Sequence, residues 1–205
     1  MTGKGRSSFL KKRSKKLLSI HIAAVGVIGL LAACASAPTV FYTLDPYPPA
    51  TITPGYSGPP IGVDAVRLPA DLDRPELIRA TGPYVMKVDD FGRWAAPLGE
   101  LAQRVLTQDL AARLPAGSVI FPGAPRPEAA AAGLTVDMLD FTVAQDQGTM
   151  DVSWALDDTD TNVAPSGRTL HLTTAIDSTG SKATAEALSR LLAMVADDVA
   201  GNLRK

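Results

Sequence analysis

Cys34 carries the only thiol among 205 residues, and Leu31-Ala32-Ala33 stand directly before it. A lone cysteine closes no disulfide within its own chain, so its sulfur is left as a nucleophile, a metal ligand or the acceptor of a covalent group. Zinc would need more thiolate or imidazole ligands, and the only histidines are His21 and His171. His171 alternates onto the side of Thr169 and Thr173, the polar face of a strand, and no serine lies in a nucleophile-elbow context to complete a triad with it. Asp157, Asp158 and Asp160 invite calcium, but they lack the glycine and closing glutamate of an EF-hand loop, so a solvated hairpin loop is the plainer reading. No glycine-rich phosphate cradle follows a strand. What remains is modification of the Cys34 sulfur. The sequence leads us to expect no catalytic residue, no metal site and no cofactor other than a covalent lipid.

The surroundings of Cys34 support that chemistry. Lys4, Arg6, Lys11, Lys12, Arg13, Lys15 and Lys16 make a basic start with no acid before Cys34, and an apolar run from Leu17 to Leu31 follows. This run is shorter than the ~20 residues of a comfortable membrane span, and small residues end it as a signal peptidase requires. The arrangement has the pattern of a bacterial lipoprotein. Cleavage between Ala33 and Cys34 would make Cys34 the new amino terminus, carrying a diacylglyceryl group and further acyl chains such as palmitate. The alternative is a retained transmembrane helix with a chance cysteine, but Ala35-Ser36-Ala37-Pro38-Thr39 reads as a polar tether. One acyl chain anchors marginally, whereas several hold durably, at about 0.8 kcal/mol per buried methylene.

Cleavage changes the charge. Seven of the 20 basic residues and none of the 21 acidic ones precede Cys34, leaving 13 against 21. So acidic a body is a poor partner for a phosphate backbone, which excludes nucleic acid, and it would not lie flat on anionic lipid.

We therefore divide the chain into a signal peptide (1–33), a lipidated tether and arm (34–60) with an edge strand at 40–44, and a body (61–205) of one domain spanning about 41–203. Within the body, 61–68 reads as a strand with a bulge and 84–91 as a second strand, with Tyr84, Met86 and Val88 on one face. Asp90 to Arg93 reads as a turn presenting Trp94. Pro97 opens a helix to about Leu114, with two apolar stripes and an Asp109–Arg113 pair on its surface, contacted on two sides by its own sheet and arm or by a neighbouring subunit. Short strands follow at 117–121 and 134–143. Met150, Val152, Trp154 and Leu156 then alternate with polar neighbours, as do Leu170, Leu172, Thr174 and Ile176, around a long hairpin loop at 158–167. Leu188, Leu191, Leu192, Val195, Ala196, Val199 and Leu203 stripe a final helix, with Ser181 as its cap. This order predicts an α+β fold, a largely antiparallel or mixed sheet packed against two principal amphipathic helices.

Two segments are richer than a plain scaffold needs. Arg67 to Arg79 mixes aliphatic residues with paired charges, and Asp90 to Leu98 sets Trp94 at a helix start. Arg67, Asp71, Arg74, Glu76, Leu77, Arg93 and Trp94 are accordingly the expected partner contacts, Trp and Arg being common interface anchors; the rival reading seats Trp94 in the core over the helix.

Phe41-Tyr-Thr-Leu44 soon after a lipidated cysteine, Ile61 to Leu77, and Arg93-Trp-Ala-Ala-Pro-Leu98 before an amphipathic helix resemble the ABC-type transport auxiliary lipoproteins, the PqiC-like family. The likeness runs over 41–203. Tyr42, Leu68, Pro69, Arg74, Pro75, Arg93, Trp94 and Leu98 match its pattern as structural signatures, while the Pro/Ala-rich stretch 122–133 departs from it. The resemblance implies a non-enzymatic, periplasm-facing lipoprotein beside an ABC transporter or MCE-domain complex that moves lipid between membranes. It would dock or receive that complex at the outer membrane, as one copy or as a ring of identical subunits. Ala35 and Ser36 lack the aspartate that commonly retains lipoproteins in the inner membrane, which is the alternative location. The rival functions are a lipid-binding carrier with an apolar cavity between helices and sheet, and an assembly factor for another envelope or secretion complex.

Overall fold

A computed structural model describes residues 37–49, 55–82, 84–125, 131–144, 146–157, 166–178 and 180–203. Cys34, Asp158, Asp160 and most of the 158–167 loop lie outside them. Among the described residues eight strands and two helices follow one another: β1 (Val40–Tyr42), β2 (Ile61–Arg67), β3 (Glu76–Gly82), β4 (Val85–Trp94), α1 (Leu98–Arg113), β5 (Val119–Ile120), β6 (Ala132–Ala144), β7 (Gln147–Asp157), β8 (Ser166–Ala175) and α2 (Ser181–Asn202). The fold is α+β, as expected, but its strands form two sheets. One has the order β1-β4-β3 and the other β5-β2-β6-β7-β8. Both are mixed: β1 runs parallel to β4, and β2 parallel to β5 and β6, while the remaining pairs are antiparallel.

Alternation builds the larger sheet. Leu134, Val136 and Met138 of β6 and Met150, Val152 and Trp154 of β7 point to one buried face. A bulge between Met138 and Asp140 then shifts the phase, so Leu139 is exposed while Phe141 and Val143 return inward. This explains the mixed periodicity of that stretch. Both helices cover the buried face. Leu106 and Leu110 of α1 and Leu188, Leu191 and Leu192 of α2 have no solvent exposure. Gly148 permits the close approach of α2, since a Cβ there would stand 2.9 Å from that of Ala187. The indole of Trp154 donates to Asp198 of α2 at 2.8 Å, pinning sheet to helix.

The smaller sheet departs most from the sequence reading. β3 was not expected there, and the supposed turn at 90–93 lies inside β4. The register slips between Glu76–Arg93 and Ile78–Val88, so β4 holds an irregular excursion, and the Asp89 carboxylate accepts the N–H groups of Phe91 and Gly92 as it would in a turn. The same carboxylate accepts the Ser181 hydroxyl; these bonds, the Ser181 one foremost, hold it below its ordinary pKa. Ser181 is thus the first helical residue, with Gly180 at the cap position. Pro97 likewise sits at the cap of α1, one residue before the expected place. β1 ends at Tyr42 rather than Leu44. Tyr84 stands outside the strand in the turn with φ +64°, an arrangement that costs a non-glycine residue about 1–2 kcal/mol.

The Asp109–Arg113 pair needs the largest correction. Both side chains are fully buried, because α1 is covered by its own sheet, by α2 and by the arm. Arg113 bonds Asp197 of α2 through Nε at 2.7 Å, and Asp109 accepts the Tyr47 N–H of the arm at 2.9 Å. Burial pushes the Asp109 carboxyl up from 3.8 to about 6; the Tyr47 N–H and Arg113 oppose the rise and Asp197 adds to it. The native state therefore keeps this proton to higher pH than the unfolded chain does. The stability linked to it is fully present below about pH 4 and is lost as pH climbs to about 6. We predict that the unfolding free energy of the wild type relative to Asp109→Asn falls by on the order of 2–3 kcal/mol across this window and is flat above it. Urea titrations at a series of pH values measure it; a difference independent of pH would refute the assignment.

Candidate functional site

The loop 68–75 folds back on Pro69, whose carbonyl accepts the N–H of Leu72 and Asp73, and delivers Arg74 to the start of β3. The Trp94 N–H donates to the Pro75 carbonyl at 2.8 Å, fixing the loop to the end of β4. Glu76 then lies across from Arg93. Its two carboxylate oxygens take one guanidinium each, Arg93 Nη1 at 3.4 Å and Arg74 Nε at 3.3 Å. Exposed ion pairs contribute little stability, about 0–1 kcal/mol. Two arginines sharing one carboxylate nevertheless keep forked donors available to a partner, with exposed Asp71 and Asp73 in the adjoining loop.

Three of the seven expected contact residues thus come together. Arg67 does not join them: it is on the larger sheet, paired with Asp137 of β6 at 3.2 Å. Asp71 is exposed in the 68–75 loop. Leu77 and Trp94 are core residues, only 1% and 6% exposed, so they hold the smaller sheet in place instead of presenting themselves. The slip in β4 explains Leu77, because Leu77 and Ile78 both turn inward where the alternation is broken.

Phe41 belongs to the surface and was not singled out from sequence. It lies opposite Arg93 and is 66% exposed; Val40, opposite Gly92, and Phe91, the residue before Gly92, are exposed as well. Its apolar character announced a strand, but nothing in the sequence told which side of that strand would be uncovered. His171 is exposed, as its alternation implied, and its Nδ1 lies 2.6 Å from Asp151 on the neighbouring strand. Among the described residues no three His, Cys, Asp or Glu side chains gather as metal ligands would.

Among the described residues the interior between helices and larger sheet is filled. Leu106, Leu110, Leu134, Met150, Leu188, Leu191 and Leu192 have no accessible surface, whereas a cavity wide enough for an acyl chain would leave its lining exposed. A groove of about 360 Å³ lies elsewhere, between the arm and α2. Tyr42, Thr43, Asp45, Tyr47, Lys182, Ala185, Glu186 and Ser189 line it, and all but Ala185 carry a polar atom.

The fold is that of a small α+β module, and sequence comparison gives its class. A family model described as "ABC-type transport auxiliary lipoprotein component" matches residues 42–200, and the chain belongs to that family of membrane-anchored envelope lipoproteins. Two solved structures share the fold. One is described only as an uncharacterized protein, at 16% identity and TM-score 0.60, covering 80% of this chain and all of the other. The second, from Xanthomonas campestris and of the DUF330 family, has 17% identity and TM-score 0.59, covering 79% of this chain and 93% of its own. No curated protein matches significantly.

Burial separates the scaffold residues from the surface ones in energy. Leu77→Ala and Trp94→Ala should each lower the unfolding free energy by about 2–5 kcal/mol. Arg74→Ala and Arg93→Ala should each cost less than about 1 kcal/mol. Denaturant unfolding followed by far-UV circular dichroism distinguishes the groups, and equal losses in both would contradict the burial pattern.

Proposed function

We propose that the chain is a non-enzymatic lipoprotein of an ABC/MCE-type trans-envelope lipid-transport system. Lipid on Cys34 holds it to the periplasmic face of the outer membrane, and its body docks or receives the complex there. The observation that carries docking over lipid carriage is the filled interior between helices and larger sheet, together with the solvent-facing Phe41, Arg74 and Arg93 around half-buried Glu76 on the smaller sheet. Family membership supports the transport association. Mechanistically, a tethered body searches a small volume near its membrane, which raises the effective concentration of its docking surface without any new contact. A transport tunnel formed by partners could then be fixed against the bilayer, with no lipid passing through this domain.

A photo-crosslinking residue placed in cells at Phe41 or Arg74 should capture an MCE-domain or transporter subunit. The same residue at buried Leu106 should capture nothing. Lipid recovered at Leu106, with no protein at the surface positions, would reverse the reading in favour of a carrier. Cys34→Ser should release the protein from the membrane fraction, and sucrose-gradient separation of the wild type reports outer against inner membrane.

A further inference from the structure

At the end of the β3–β4 hairpin the described residues are open to solvent. Tyr84 is exposed to 107% of its reference area, Val85 to 56% and Met86 to 46%, and Lys87 is exposed as well. Successive strand residues point to opposite faces, so exposure of all of them means that neither face is covered. Tyr84 takes the left-handed conformation usually given to glycine or asparagine, at a turn where a polar residue would be the ordinary choice. Behind this apolar end Arg79 and Lys87 face one another across the strands, about 10 Å back at 3.3 Å per residue. The nearest acid further along β4, Asp89, accepts the Ser181 hydroxyl and the N–H groups of Phe91 and Gly92, and the charge of half-buried Arg79 also acts on it.

The course of the tether points to what the hairpin meets. Because β1 pairs parallel with β4, Val40 beside Gly92, the chain enters β1 from the side of the hairpin end. An antiparallel β1 would have led it away. From the level of Glu76 to that of Gly82, β3 extends six residues, ~20 Å. Cys34 precedes Val40 by six residues, which reach at most ~20 Å. A leaflet holding lipid on Cys34 is therefore within reach of the hairpin end when the tether is extended along the strand.

We propose that Tyr84-Val85-Met86 is a second membrane contact. It enters the interfacial layer of the leaflet that holds the Cys34 lipid, and Arg79 and Lys87 lie at the headgroup phosphates. The inference rests on the proposed lipidation. Tyr suits an interface with its apolar ring and polar tip, and long cationic side chains extend toward phosphate while their stems cover apolar surface. The acidic body then stands off the surface on its tip, where lying flat would set it against anionic lipid.

The test uses the full-length lipoprotein purified from cells and reconstituted into phosphatidylethanolamine/phosphatidylglycerol vesicles, with an environment-sensitive fluorescent amino acid at Val85 or, as control, at Leu139. The mass of the Cys34 peptide is read on the same preparation. With Cys34 lipidated, emission at Val85 should shift to the blue, and nitroxides near the lipid glycerol should quench it more than nitroxides at the bilayer centre. The label at Leu139 should do neither. Replacing Tyr84 and Met86 with Asp should abolish the shift while leaving lipidation and circular dichroism unchanged. Lipidated protein whose Val85 label stays in water overturns the hairpin contact and spares the anchor. An unmodified Cys34 overturns the anchor, and this inference with it. A blue-shifted label before vesicles are added would mean that a second copy covers the hairpin, and would also overturn the proposal.

Discussion

Arg113 brings a whole guanidinium into the interior, and the arrangement of the helices follows from the need to neutralise it. An unpaired charge at such a site would cost several kcal/mol, and breaking a buried pair typically costs about 3–5 kcal/mol. The partners come from separate parts of the chain. Nε meets Asp197 on α2, while Nη1 meets the carbonyl and carboxylate of Asp109 one turn earlier on α1. Asp109 in turn holds the Tyr47 N–H of the arm. Pairing one cation through Nε and Nη1 thus fixes α1 against α2 and ties the N-terminal segment across both, while Nη2 stays buried without a partner among the described residues. Hydrophobic residues of similar volume could pack as well, but they would not specify which three segments must meet.

The arm inherits its order from that cluster. From Thr43 to Tyr47 it is stitched down repeatedly: Arg104 donates to Thr43 and to the Leu44 carbonyl, the Asp45 N–H reaches Ser189, and the Tyr47 hydroxyl lies 2.8 Å from Arg190. β1 itself contributes only three residues to its sheet. A strand that short holds its register poorly alone, so its parallel alignment with β4 depends on the arm behind it. If lipid on Cys34 takes up load, as we propose, that load passes through β1 into these contacts and is shared by both helices.

How much of this could be read in advance follows from where the physics is local. Alternation in β7 and β8 and the apolar stripe of α2 report directly on a buried face, and those elements stand where the sequence puts them. Pro97 marks the start of α1 within one residue because its fixed φ acts on its own backbone. β3 was hidden because the bonds that form it belong to β4, and Glu-Leu-Ile-Arg-Ala-Thr-Gly alternates on neither period. The burial of Asp109 and Arg113 was invisible for a related reason. A pair four apart on a helix looks the same whether water or another helix covers it, and the covering segments come from the arm and from α2. Among the expected contact residues, the charged ones in the 74–93 cluster lie at the surface, whereas Leu77 and Trp94 were drawn inward by their apolar area. The segments that carry the resemblance to the lipoprotein family mix scaffold and surface residues, and the sequence does not distinguish the two.

The two sheets divide the work. The five-stranded sheet and its helices hold most of the apolar interior, and its outer face carries polar residues such as Thr135, Ser153 and Thr169. The three-stranded sheet buries less, and it gathers the end of the tether, the Arg74–Glu76–Arg93 cluster, Phe41 and the exposed hairpin end. Leu77 and Trp94 join this second sheet to the common core from beneath. Substitutions on the outer side of the small sheet can therefore alter what it touches while the larger layer keeps the protein folded. The docking role we propose for the small sheet would benefit from that separation, because its surface residues are free of the packing constraints that fix the interior.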